Sequence, residues 1–124
     1  MKSQNKAVLW GVEQLLENAA KGTDGKDPEK GISISFLAHT EGTSINVVEL
    51  EQGIDPHSHH EHDEVITILE GAGEASIDGV SREVKPGDVI FCPRGTTHGF
   101  NFRVKLFSVY TPYFDSSSPD RFFE

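Results

Sequence analysis

The chain has 124 residues, enough for one domain with an ordinary hydrophobic core, and its 12 glycines favour a turn-rich, strand-rich fold over a helical bundle. Its 20 acidic and 11 basic residues give a net charge of -9, which disfavours binding to nucleic acids or to anionic membranes. The single cysteine excludes an intramolecular disulfide, and no apolar run is long enough to span a membrane. Because the N-terminus lacks a signal-peptide pattern, we expect a reducing, cytoplasmic location.

Residues 6–20 are predicted to form an amphipathic helix, because apolar side chains recur there at spacings of three and four. Ser3 or Asn5 would cap this helix, and Gly22 would end it. The helix is either a lid packed on the domain or a dimer contact. Residues 21–31, with three glycines and one proline, predict a loop or linker.

From Gly31 onward the sequence predicts roughly eight short strands separated by turn signals. Alternation places Ile32, Ile34 and Phe36 on one face of the first strand, and Asp78-Gly79 predicts a two-residue hairpin. The predicted strands are residues 32–38, 43–51, 64–70, 74–77, 80–84, 88–92, 98–102 and 104–110. This pattern indicates an all-β antiparallel sandwich or barrel. Aromatic residues in the tail after it suggest docking on the domain or on a second subunit.

Four of the six histidines lie in the stretch HSHHEHDE, residues 57–64. His57 and His59 are two positions apart, so an extended backbone would point both imidazoles to the same face. Glu64 and His98 each open a further predicted strand, so three imidazoles and one carboxylate would meet at the mouth of a barrel. Such a set suits a first-row divalent metal with one or two open positions. The alternative is a solvated histidine-rich loop.

Residues 53–71, GIDPHSHHEHDEVITILEG, resemble the first motif of the cupins. That motif runs Gly, a spacer, His-x-His, three or four residues, Glu, six residues and Gly. The matching positions are held by His57, His59, Glu64 and Gly71. Gly53 departs from the pattern, because its spacer before the first histidine has three residues instead of five. This departure changes the turn and touches no ligand.

Residues 87–101, GDVIFCPRGTTHGFN, resemble the second cupin motif, in which Pro-x-Gly precedes a histidine by two residues. The matching positions are held by Gly87, Pro93, Gly95 and His98, whereas Asn101 comes one residue early. The resemblance implies a double-stranded β-helix, or jelly-roll, barrel over residues 31–112. Residues 1–30 would then form an N-terminal helix and linker, and residues 113–124 a C-terminal tail.

The resemblance also selects among the histidines and implies one divalent transition metal ion, Fe, Zn, Mn or Ni. The ligands that it implies are His57, His59, Glu64 and His98. His60 and His62 are the rival pair, but they leave no room for a loop before Glu64. We expect His60, His62 and Asp63 either to form a solvated rim or to orient the ligands from behind.

His62 and Arg94 are the candidate residues for handling substrate, although the position of Arg94 in a turn favours an exposed residue without a role in the site. Tyr110 and Tyr113 would either reach the pocket as proton donors or pack in the core or an interface. His39 is expected at the surface.

The remaining predictions concern the interior. Cys92 is expected to be a buried small hydrophobe and not a reactive thiol. Ile66 and Ile68 should point inward with Glu64 and give the pocket an apolar floor.

The resemblance implies a metal-dependent enzyme that acts on a small oxygenated molecule such as a sugar, a hydroxy acid or an enediol. It would be either a dioxygenase or a sugar isomerase, epimerase or lyase. The alternative is a non-catalytic cupin that binds or senses a small ligand, and the complete ligand set favours the enzyme. We expect no organic cofactor, no nucleic-acid or membrane partner, and a homodimer as in many cupins.

Overall fold

The computed structural model describes residues 6–114 and 120–123, and these residues contain one helix and eleven strands. The elements are α1 (Val12–Lys21), β1 (Gly25–Asp27), β2 (Ile32–His39), β3 (Ser44–Leu50), β4 (Ile54–Ser58), β5 (Asp63–Glu70), β6 (Gly73–Ile77), β7 (Val80–Val84), β8 (Val89–Cys92), β9 (Thr97–Phe100), β10 (Val104–Thr111) and β11 (Phe122–Phe123). Helix α1, the one helix among the described residues, is not long and apolar enough to cross a membrane.

The strands form two antiparallel sheets that enclose the interior. The six-stranded sheet has the order β1-β2-β3-β10-β5-β8, and the five-stranded sheet has the order β11-β4-β9-β6-β7. Strands far apart in sequence are neighbours, such as β3 with β10 and β4 with β9, which is typical of a jelly roll. The predicted all-β barrel with one N-terminal helix is therefore confirmed.

Helix α1 is shorter than predicted, because it begins at Val12 and not at residue 6. Glycine costs about 1 kcal/mol relative to alanine inside a helix, so Gly11 is a poor interior residue and marks the start instead. The backbone N–H of Gly11 donates a hydrogen bond to the side-chain oxygen of Gln14 at 2.9 Å. Gly22 ends the helix as predicted, with φ 59°. The proposed caps Ser3 and Asn5 lie outside the described residues.

The outer face of β2 carries helix α1, which fits the predicted lid. The Ser35 hydroxyl lies beneath the helix and donates to the Asn18 carbonyl at 2.6 Å, and Ala19 is fully buried there. Ile34 on the opposite face of β2 points into the barrel, as the alternation predicted. Whether the helix also forms a dimer contact stays a prediction.

Three strands lie where the sequence predicted none. β1 falls in the segment expected to be a loop and pairs with β2. β4 contains Pro56, which lacks the N–H that a strand needs. The pairing of β4 with β9 is irregular between Ile54 and His57, and this irregularity accommodates the proline. The short strand β11 pairs with β4 and docks the C-terminal segment on the domain.

The Asp78-Gly79 hairpin is confirmed, because it joins β6 to β7 and both residues have positive φ, 51° and 80°. Ile66 and Ile68 are each 1% exposed and belong to the core, as predicted. Burial, and secondarily the charge of Glu64, raises the pKa of Cys92 to about 12. The thiol is therefore protonated at neutral pH, which agrees with the expected buried small hydrophobe.

Candidate metal centre

Three histidines and one carboxylate meet inside the barrel. His57 on β4 is paired directly with His98 on β9, and His59, the residue after the end of β4, turns its ring toward both. One ring nitrogen from each histidine lies within 4.8 Å of the other two. Glu64 reaches them from the other sheet, with its Oε1 3.2 Å from His59 Nε2 and 3.1 Å from His98 Nε2. All four side chains are buried.

Backbone carbonyls orient two of the three rings. His57 Nδ1 donates to the carbonyl of Asp55 at 2.9 Å, and His59 Nδ1 donates to the carbonyl of Asp120. With the proton on Nδ1, each ring presents the lone pair of Nε2 to the interior. His98 Nδ1 has no hydrogen-bond partner among the described residues, and the Nε2 of this ring faces Glu64 Oε1.

The charge state of the cluster suits a cation. Burial, helped by the neighbouring His98, lowers the pKa of His57 to about 4, so this ring is neutral at pH 7. Burial alone would raise the pKa of Glu64, but the close contacts of its carboxylate with the His59 and His98 rings hold it well below its usual range. A neutral imidazole at His57 and an ionised carboxylate at Glu64 are the forms in which these residue types bind divalent metals.

Two atoms of the cluster show that a metal would fit. His59 Nε2 and Glu64 Oε1 are buried and make no hydrogen bond in the described structure. A buried polar atom without a partner costs about 1–3 kcal/mol. A transition metal with nitrogen and oxygen ligands would satisfy both atoms. The donor set therefore fits the divalent ion that the sequence predicted, and that these residues bind it stays a prediction.

Ser108 on β10 orients the carboxylate, because its hydroxyl donates to Glu64 Oε2 at 2.8 Å and is fully buried. The change Ser108→Ala is expected to weaken metal binding by about 10- to 100-fold, since a metal ligand loses its orienting hydrogen bond. Competition with a chelator of known affinity measures this. Ser81→Ala is the matched control, because Ser81 makes a similar bond to Glu74 at the exposed surface. Equal affinities for the two variants would contradict the expected role.

The other histidines of the stretch do not join this cluster. His60 is exposed and stacks on Phe122, with ring centroids 3.9 Å apart. His62 is buried, so the expected solvated rim is wrong for this residue. Its ring lies between Asp120 Oδ2 at 2.8 Å and the Tyr113 carbonyl at 3.1 Å. His62 therefore links the histidine-rich loop to Asp120 in the C-terminal segment and to Tyr113 after β10. Its proposed role toward a substrate stays a prediction.

Asp120 holds the histidine-rich loop in place, and the sequence did not predict this role. Its carboxylate accepts hydrogen bonds from the backbone N–H of His60 at 2.9 Å and of Glu61 at 2.6 Å, besides the bond to His62. Its main-chain carbonyl accepts the bond from His59. The tail has two other acidic residues, Asp115 and Glu124, so nothing in the sequence alone singled out Asp120.

A cavity of about 50 Å³ lies beside the cluster and is lined by His57, Glu64 and His98. This is room for roughly four water molecules, and so for a ligand of a few heavy atoms. Most other lining residues are apolar, Ile66 among them, which agrees with the predicted apolar floor, although Ile68 is buried in the core and does not line the cavity. Tyr110 also lines the cavity, and burial followed by the charge of Glu64 raises the pKa of its hydroxyl well above the usual value.

Arg94, the predicted substrate residue, lies in an exposed turn and does not line the cavity. Its Nε is 3.4 Å from an Asp63 oxygen, and its guanidinium donates to the Thr111 carbonyl at 3.3 Å. Arg121 in the C-terminal segment lines the cavity instead, and the sequence did not single it out.

The second predicted tyrosine lies away from the cavity. Tyr113 stacks on His39, with ring centroids 4.2 Å apart, and is not among the residues that line the cavity. His39 is consequently half-buried and not at the open surface that the sequence predicted.

Comparisons with known proteins place these features in a family. The sequence model of the cupin domain matches residues 46–110, more than half of the chain. An uncharacterized protein of Aquifex aeolicus (strain VF5) is 29% identical over 119 residues, which cover 92% of this chain and 97% of that protein.

Two solved structures share the fold. KdgF from Halomonas sp. superposes with a TM-score of 0.67 at 27% identity, covering 79% of this chain and 94% of that one. Pac13 of Streptomyces, described as a nucleoside dehydratase, has a TM-score of 0.63 at 15% identity over 77% of this chain and 82% of its own, which shows a shared fold alone. The family match, the two sheets and the enclosed histidines agree, and the chain belongs to the cupin family.

Proposed function

We propose that this cupin is a metal-dependent enzyme that acts on a small oxygenated molecule. The observation that carries the proposal is the buried cluster of three histidines and Glu64, in which His59 Nε2 and Glu64 Oε1 lack hydrogen-bond partners. The proposed ligands of one divalent transition metal ion are His57, His59, Glu64 and His98. The adjoining cavity would hold the substrate.

The residues around the cluster perform the other tasks of such a site. A bound metal would supply either Lewis-acid polarisation of a substrate oxygen or redox chemistry with dioxygen. The apolar walls, including Ile66 and Leu106, exclude water from the reacting atoms. Tyr110 holds a proton on its hydroxyl beside Glu64, so it is placed to donate a hydrogen bond to a substrate in the cavity.

Metal content tests the proposal and separates the reaction classes that the fold leaves open. We expect about one equivalent of a transition metal in protein purified without a histidine tag or chelator, measured by elemental analysis. Stripped protein is then reloaded with Fe, Zn, Mn or Ni in turn. Oxygen uptake with enediols after iron loading supports a dioxygenase, and sugar isomerisation, epimerisation or elimination after loading with the other ions supports the second class.

Protein that contains no metal and takes none up would contradict the proposal. The chain would then be a non-catalytic cupin that binds a small ligand. The cytoplasmic location and the homodimer belong to the same proposal. Val89 and Phe91 support the dimer, because they are exposed on the edge strand β8, where a second sheet can pair.

A further inference from the structure

A cationic side chain enters the cavity from the C-terminal segment. Arg121 lies between Asp120, whose carboxylate binds the histidine-rich loop, and β11, which pairs with β4. Anchors on both sides therefore hold the backbone of Arg121 against the barrel. Its side chain lines the same cavity as His57 and Glu64. Arg121 is thus a fixed part of the cavity wall.

The guanidinium of Arg121 has no anionic partner among the described residues. Its Nε is buried and makes no hydrogen bond. By contrast, Arg94 and Arg103 pair at the surface with Asp63 and Glu49. Arg121 is partly buried, and a guanidinium that is withdrawn from water without a partner is unfavourable, so this arrangement favours an anion that completes it.

The one carboxylate that lines the cavity is already engaged. Glu64 accepts the Ser108 hydrogen bond through Oε2, and its Oε1 faces His59 and His98. Arg121 lines the same cavity as His57 and His98, so its side chain lies on the cavity wall with the cluster. The cavity therefore has a ligand cluster on one part of its wall and a free cation on another.

We propose that Arg121 binds the carboxylate of the substrate, and that the substrate class is small hydroxy or oxo carboxylates. The planar guanidinium matches the two oxygens of a carboxylate. A cavity for a few heavy atoms then places the hydroxyl or carbonyl next to that carboxylate beside the histidine cluster. The choice of substrate class rests on the proposed metal enzyme, whereas binding of the anion by Arg121 does not require the metal.

Calorimetric titration with glycolate tests this inference on metal-free and metal-loaded protein. Glycolate is the probe, and ethylene glycol is its uncharged counterpart. We expect the native protein to bind glycolate in both states and to bind ethylene glycol much more weakly. The change Arg121→Gln should weaken glycolate binding by about 10- to 100-fold, the range expected for a lost charged hydrogen bond. Arg82→Gln, at an exposed position on β7, should leave binding unchanged.

Further measurements separate the possible failures. Metal content and the thermal unfolding midpoint of Arg121→Gln should match those of native protein. If this variant does not fold, Arg121→Lys takes its place. Lysine keeps the charge but lacks the planar guanidinium, so this variant should lose less affinity for glycolate than Arg121→Gln. Equal glycolate affinity in native and Arg121-substituted protein would overturn the inference. Tighter binding of inorganic phosphate than of glycolate would overturn the carboxylate assignment. Glycolate binding without metal uptake would retain the anion site and contradict the proposed enzyme.

Discussion

The change His59→Ala is expected to abolish tight binding of a divalent metal, together with any metal-dependent activity. His59 Nε2 is buried, has no hydrogen-bond partner, and lies 3.2 Å from Glu64 Oε1. Removing a residue that only orients a ligand weakens metal binding by about 10- to 100-fold, so removing a ligand should exceed 100-fold. Elemental analysis after gel filtration and competition with a chelator measure the loss.

His60→Ala is the matched control, because His60 is the adjacent histidine but is exposed and stacks on Phe122. We expect this variant to retain the metal content of the native protein. The comparison also tests the rival pair, His60 and His62, which the spacing alone left open. Full metal occupancy in His59→Ala, or a loss confined to His60→Ala, would show that the ligand assignment is wrong.

The change Asp120→Ala is expected to lower the free energy of unfolding by about 2–5 kcal/mol, because it removes three hydrogen bonds to a carboxylate. The Asp120 side chain is 5% exposed and accepts bonds from two backbone N–H groups and from His62. His62 is buried, so the ring atom that loses Asp120 as its partner adds to the loss. Urea denaturation followed by circular dichroism measures the change.

Two variants show whether this loss comes from the buried carboxylate. Asp120→Asn keeps one oxygen acceptor and the shape of the side chain, so it should lose less stability than Asp120→Ala. Asp88→Ala removes a partly exposed carboxylate that binds Lys85 in a similar way, and it should cost less than about 1 kcal/mol. Similar losses for Asp88→Ala and Asp120→Ala would contradict a special role for the tail.

The fold was predictable where local pattern and tertiary structure agree. Ile32 and Ile34 alternate with serines, and Asp78-Gly79 has the composition of a tight hairpin, so both features can be identified without knowing the neighbouring strands. The convergence of His57 and Glu64 followed from spacing together with the resemblance to cupin motifs. Short-range signals were sufficient because each strand of a jelly roll carries its own alternation.

The remaining features depend on contacts that local pattern does not encode. β4 was not predicted as a strand, because Pro56 is a residue that argues against a strand in the sequence. The irregular pairing of β4 with β9 accommodates the proline ring. Asp120 and Arg121 belong to a tail whose position depends on β4, and the bond from His60 to Asp120 joins residues 60 positions apart. A local sequence pattern carries no information about contacts between residues so far apart. The contribution of Asp120 and Arg121 to the site could therefore be identified only in the folded chain.

The clamp formed by Asp120 has a consequence for the order in which the site is made. A ribosome adds about 5–20 residues each second, so Asp120 emerges roughly 3–12 seconds after the loop to which it will bind. In that interval the nascent chain carries the histidines without the carboxylate and the carbonyl that later orient them. If the cluster binds a metal as proposed, the nascent chain would bind it more weakly during that interval, because Asp120 does not yet hold His59 and the loop that follows it.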